Sequence, residues 1–120
     1  MGQVLIVDDS ASIRMLLSKT LEDTGYCVTD AENGKAALEV AQQGNFDLVI
    51  TDVNMPEMDG LRLVENLRKL PAYRMKPILV LSTEYSQEMK QKGKEAGATG
   101  WLVKPFDPQK MVEVVNKVVG

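Results

Sequence analysis

The strongest constraint on the fold of this chain is a rhythm. Short, wholly apolar runs alternate with longer segments in which apolar residues recur every three or four positions. Val4–Val7 is uninterrupted apolar sequence, and so is Ile78–Leu81. Such runs suit strands covered on both faces, as in a parallel sheet sandwiched between helices. Phe46–Thr51 reads as a third strand ending at Asp52, and Gly100–Val103 as a short one. Cys27–Ala31 is a weaker candidate, because Thr29 and Asp30 interrupt it. Between these runs lie segments of helical period. Ile13, Leu16, Leu17 and Leu21 share a spacing that Gly25 stops, and Ala37, Leu38 and Ala41 follow Asn33 as a cap and end at Gly44. Leu61, Val64 and Leu67 follow Asp59 and end before Pro71, and Met89, Gly93 and Ala96 mark a fourth helix. Asp107-Pro108 then supplies a cap and a first-turn proline for Met111, Val114, Val115 and Val118.

Five strand–helix units in 120 residues leave about 24 residues each. The expected fold is therefore α/β, a doubly wound (βα)5 architecture with a five-stranded parallel sheet and helices on both faces. Right-handed crossovers leave few topologies, and an eight-unit barrel needs about twice the length. No linker or low-complexity tract divides the chain, so residues 1–120 are expected to form one domain, with Leu70–Lys76 its only long connection. Surface scaling predicts roughly 6,500 Å² of accessible area for the folded chain, enough burial for an ordinary core. Fourteen basic against seventeen acidic residues lack the basic footprint of a nucleic-acid binder. The longest apolar runs have four residues, too few for a membrane span, and no signal peptide opens the chain. The single cysteine, Cys27, has no internal partner, which fits a reducing compartment; a soluble cytoplasmic monomer is expected. Because the chain stops soon after the fifth helix, no output domain is expected to follow.

In an open parallel sheet, ligands bind beyond the carboxyl ends of the strands. Asp8 and Asp9 follow the first run, Asp52, Val53 and Asn54 the third, Ser82 and Thr83 the fourth, and Lys104 and Pro105 the fifth. Singly, each has a plain structural reading: a helix start for Asp8-Asp9-Ser10, a turn for Asp52, a strand-end hydrogen bond for Ser82, a solvated surface lysine for Lys104. Jointly, four strand ends deliver complementary groups to one crevice. Three ionised carboxylates repel unless a cation is present, and Mg²⁺ takes such oxygen ligands. Lys104 complements a phosphoryl group, and Asp52, ending the central strand, is the candidate nucleophile for an aspartyl phosphate.

With these residues in place, the chain resembles a receiver domain of a two-component response regulator, and within that family the stand-alone chemotaxis type. The resemblance spans Val4 to Val119. It rests on Val7-Asp8-Asp9-Ser10, on Asp47-Leu48-Val49-Ile50-Thr51-Asp52-Val53-Asn54-Met55-Pro56, on Met58-Asp59-Gly60 and on Lys104-Pro105-Phe106. It implies the flavodoxin-like strand order 2-1-3-4-5 known for that family. It also implies that Asp52 accepts a phosphoryl group from a phosphohistidine on a partner kinase of the chemotaxis type. Asp8, Asp9, Asp52 and the backbone carbonyl of Asn54 would hold Mg²⁺. Lys104 and Ser82 would contact the phosphoryl group, and Trp101 would stand at the aromatic switch position. Lys104-Pro105 is a candidate cis peptide. Asn54 and Glu84 occupy positions that tune the phosphoryl lifetime. Thr83, where many relatives carry Ala or Gly, adds bulk beside the phosphate entry. The loop 70–74 and the stretch 82–86 resemble the chemotaxis group, which points to a flagellar motor switch protein as output, with an auxiliary phosphatase as a further partner. A phosphate sink or a non-motility receiver would share the same site.

Rival chemistries fit less well. A flavin binder of this architecture needs a Ser-, Thr- or Gly-rich phosphate loop after the first strand, where this chain has Asp8-Asp9. A Mg²⁺-dependent phosphatase of the haloacid dehalogenase class needs an acid at position 54, which is Asn. The chain has no histidine and no Walker-type or Gly-x-Gly-x-x-Gly loop. A phosphoryl donor must therefore act in trans, and the chain is expected to be a switch that assists its own phosphorylation and dephosphorylation, not an enzyme.

Overall fold

The computed structural model describes residues 2–84 and 86–119; Tyr85, within the stretch 82–86 likened above to the chemotaxis group, lies outside them. Five strands, β1 (Gln3–Val7), β2 (Cys27–Ala31), β3 (Leu48–Asp52), β4 (Ile78–Ser82) and β5 (Gly100–Val103), alternate with helices α1 (Ala11–Glu22), α2 (Gly34–Gln43), α3 (Gly60–Lys69), α4 (Gln87–Ala96) and α5 (Pro108–Val119). All pairings are parallel, in the order β2-β1-β3-β4-β5. Strand order and fold class match the sequence expectation. The accessible area, 6488 Å², is the value expected from chain mass.

Alternation along the strands divides the core in two, because successive side chains of a strand point to opposite faces. Leu5, Val7, Val49, Ile78 and Val80 join Ala37, Leu63, Val64 and Leu67 beneath α2 and α3. Val4, Ile6, Leu48, Ile50, Leu79 and Leu81 join Leu17, Leu21, Met111 and Val115 beneath α1 and α5. The wholly buried patterns of β3 and β4 explain why their sequences carry no polar alternation.

Side-chain caps start the helices. Asn33, Asp59 and Asp107 act as expected, accepting the N–H groups of Ala36, Arg62 and Gln109. Ser10 and Ser86 do the same for α1 and α4. Gly97 ends α4 with φ of 111°, a left-handed conformation that glycine adopts without strain.

Three local expectations change. Leu16 lies 46% exposed beside Met15, because Ile13, Leu17 and Leu21 already fill the sheet-facing stripe of α1. Phe46 precedes β3: its side chain is buried, but its N–H goes to the Tyr73 hydroxyl and not to a neighbouring strand. The connection 70–76 contains a 3₁₀ turn, Pro71–Tyr73, that drives Tyr73 into the core.

The Tyr73 hydroxyl donates to the Ala41 carbonyl at 2.7 Å and accepts the Phe46 N–H at 3.3 Å. Both partners are buried, so Tyr73→Phe strands two backbone groups. The expected loss is about 1–3 kcal/mol of unfolding free energy, read from urea denaturation. A loss below the precision of the method would show that these groups find other partners.

Candidate functional site

Register delivers the site. Val7 of β1 pairs with Thr51 of β3, Asp52 with Leu81 of β4, and Ser82 with Val103 of β5. The residues that follow Val7, Thr51, Leu81 and Val103 therefore emerge along one edge of the sheet, and these are Asp8, Asp52, Ser82 and Lys104.

Asp8 is buried, and its two carboxylate oxygens are committed differently. Oδ1 accepts the Ser10 N–H at 2.9 Å, and Oδ2 accepts the Lys104 ammonium at 2.8 Å. Asp52, 7% exposed at the end of β3, accepts the Val53 N–H on Oδ1 at 2.8 Å, and the same oxygen lies 3.3 Å from Lys104 Nζ. One ammonium thus bridges two buried carboxylates. Asp9 is exposed beside them, and oxygens of Asp8, Asp9 and Asp52 all lie within 4.8 Å of one another. Lys104 is fixed from behind, since its N–H donates to the Ser82 carbonyl at 2.8 Å, and the Lys104-Pro105 bond is cis as expected.

Burial pushes the Asp52 carboxyl above the usual carboxylate range, and the charge of Asp8 adds to this; Lys104 and the Val53 N–H pull the other way without cancelling it. For Lys104 burial opposes the charged form, but the Asp8 hydrogen bond and the charges of Asp52 and Asp8 outweigh it, so its ammonium is held more firmly than usual. Three carboxylates lie close together and Lys104 pairs with two of them, so the pocket calls for more positive charge. Its donor set is all oxygen, carboxylate-rich and open on the Asp9 side, and that set fits Mg²⁺.

Ser82 is fully buried and reaches the cluster through the backbone contact with Lys104. Its Oγ accepts the Glu84 N–H at 3.1 Å, and the Glu84 carbonyl accepts the Trp101 indole Nε1–H at 2.9 Å. Trp101 is therefore outside the cluster and joined to it through one residue, Glu84, of the β4–α4 loop. Asn54, Thr83 and Glu84 are exposed in the loops that leave β3 and β4.

Two residues of the site were given no role by the sequence. Arg14 donates to the backbone carbonyl of Asp8 and to the Asp30 carboxylate, both at 2.8 Å, tying the acidic loop to the end of β2. Nothing in a lone helix arginine signals this. Gly60 lies against the backbone of Asp52, where a Cβ would come within 1.9 Å of the Asp52 carbonyl oxygen. The glycine directly after the Asp59 cap was the available signal.

Response regulator receiver domain is the description of the protein-family model that matches residues 4–116. The solved structure of the chemotaxis protein CheY4 of Vibrio cholerae superposes with a TM-score of 0.95 at 51% identity, covering 98% of both chains. The response regulator TrrA of Thermotoga maritima, solved in complex with Mg²⁺ and BeF, superposes at 0.87 with 36% identity, covering 98% of this chain and 99% of that one. The transcriptional regulatory protein SrrA of Staphylococcus aureus is 36% identical over 92% of this chain, which corresponds to 45% of that longer protein.

The raised Asp52 carboxyl has a consequence for stability. Its folded-state affinity for a proton exceeds that of the unfolded chain, so ionising it works against folding, and the penalty is complete only above the folded-state value. Asp52→Asn is expected to raise the thermal midpoint by a few degrees at neutral pH without divalent metal. The gain should shrink as pH falls through the carboxylate range, where Asp52 takes up a proton. Calorimetric scans at several pH values check this; an Asp52→Asn midpoint at or below wild type at neutral pH would contradict it.

Proposed function

The chain belongs to the response regulator receiver domain family, and from that premise we propose that Asp52 accepts a phosphoryl group from a phosphohistidine on a partner kinase. The observation that carries this reading is the single Lys104 ammonium between Asp8 and Asp52. Asp52 Oδ1 is held by the Val53 N–H and lies near Lys104, whereas Oδ2 has no hydrogen-bond partner among the described residues. That second oxygen attacks phosphorus; a P–O bond forms as the P–N bond to the donor imidazole breaks. Lys104 then contacts a phosphoryl oxygen, exchanging one anionic partner for another. Asp8, Asp9, Asp52 and the Asn54 carbonyl would hold Mg²⁺, which when bound offsets the charge that gathers on the carboxylates and the phosphoryl oxygens.

Ser82 carries the signal outward. Its hydroxyl accepts from Glu84 and keeps its own proton to donate to a phosphoryl oxygen. Turning toward the phosphoryl group releases the Glu84 N–H, and the carbonyl of the same residue holds the Trp101 indole. The modification thus acts by local charge and hydrogen bonding on an element with two arrangements. The chain acts as a switch whose output is a changed surface at α4, β5 and α5, and not as an enzyme with an external substrate.

Similarity to CheY4 along 98% of both chains supports a stand-alone regulator of chemotaxis, with a chemotaxis-type kinase as donor and a flagellar motor switch protein as output. The match to SrrA favours keeping a second reading, since the same scaffold also belongs to a transcriptional regulator. In that reading this chain is a phosphate sink or serves a non-motility partner.

Incubation with a small acyl phosphate and Mg²⁺ tests the proposal by intact mass. One added phosphoryl group is expected in the wild type and none in Asp52→Ala, and an unmodified wild type would overturn the proposal. Trp101→Ala is expected to keep the modification and to weaken phosphorylation-dependent capture of a flagellar switch component about tenfold. Unchanged capture would remove Trp101 from the output path.

A further inference from the structure

Beyond the hydrogen bond to Glu84, the Trp101 indole has a second fixed contact, on α4. A Cβ built at Gly93 would lie 2.8 Å from Cε3 and 2.9 Å from Cζ3 of the ring, distances that real Cβ atoms essentially never show. The next atom is Leu61 Cδ2 at 4.0 Å, so the indole alone fills the space where a side chain would stand. Gly93 is buried in the interior of α4, a place where glycine weakens a helix relative to alanine. Local helix preference therefore argues against glycine here, and the ring argues for it.

We propose that Gly93 is the positioning residue for the switch: the notch left by its missing side chain seats the six-membered edge of the Trp101 ring, so that the opposite edge presents Nε1–H to the Glu84 carbonyl. The inference rests on the receiver reading above and adds what sets the resting position of the aromatic. The two contacts grip opposite edges of one rigid fused ring. The ring cannot bend to admit a methyl group at 93, so the methyl displaces it as a whole. Displacement withdraws Nε1 from the Glu84 carbonyl and loosens the residue whose own N–H lies on Ser82 Oγ. The side chain at position 93 thus biases the output surface without touching Asp8, Asp52 or Lys104.

Gly93→Ala tests this in the metal-free protein and again with Mg²⁺ and beryllofluoride. The variant is expected to show a red-shifted tryptophan emission and roughly twofold or greater acrylamide quenching relative to wild type before any ligand is added. Mg²⁺ affinity, read by calorimetry, should stay within about twofold of wild type. A stability comparison gives a second, independent test. In a Trp101→Ala background, Gly93→Ala should raise the thermal midpoint, since the helix gains alanine and no ring collides. In the wild-type background it should lower the midpoint. Unchanged emission and quenching, or a raised midpoint in both backgrounds, would overturn the notch. A wild type that fails to bind Mg²⁺ or beryllofluoride would count against the receiver reading instead, because the emission and stability comparisons in metal-free protein do not depend on it.

Discussion

A single ammonium, that of Lys104, stands between the carboxylates of Asp8 and Asp52, and much of the structure serves to keep it there. Burying two acids at the end of a sheet is costly unless each is paired and hydrogen-bonded. Here Asp8 is satisfied by the Ser10 N–H and Lys104, and Asp52 by the Val53 N–H and Lys104. Lys104 can reach both because β5 ends level with β4, so that its backbone bonds to Ser82. Remove that register and the acids lose their common partner.

The balance is incomplete, and the incompleteness is useful. Asp52 remains harder to ionise than an ordinary aspartate, because burial, reinforced by the charge of Asp8, outweighs the pull of Lys104. A divalent cation would offset that cost, and in the proposed function a phosphoryl group on Asp52 would change the claims on Lys104 and Ser82. Both residues belong to the same backbone contact at the ends of β4 and β5, so such a change would be felt at the loop that holds Trp101. In the proposed switch, a small rearrangement of charge is converted into a movement of the largest side chain in the molecule.

The parts of the site that could be read from the sequence are those that parallel-sheet geometry places without knowledge of packing. Asp8, Asp52, Ser82 and Lys104 each follow an apolar strand, and strands aligned in parallel bring such residues to one edge whatever the helices do. The (βα)5 pattern itself followed from the periodicities, because doubly buried strands leave continuous apolar runs. Contacts between elements distant in sequence were not legible. Arg14 reaches Asp30 and the Asp8 carbonyl only once α1 crosses β1 and β2. Arg68 donates to the carbonyls of Tyr73, Lys76 and Gly97, holding two loops at the opposite end of the molecule, and its sequence context shows only a helix-end arginine. Leu16 matched the apolar spacing of α1 yet lies at the surface, since spacing gives a stripe and not its width.

Lys104 supplies charge that the acid cluster would otherwise take from a metal ion. Calorimetric titration of Mg²⁺ into wild type and Lys104→Met at neutral pH measures this directly. With the ammonium gone, the carboxylates of Asp8 and Asp52 lose their internal cation, and Mg²⁺ should bind more tightly by about tenfold or more. Equal or weaker binding by Lys104→Met would contradict the account, because it would mean that the lysine neither competes with the metal nor balances the acids.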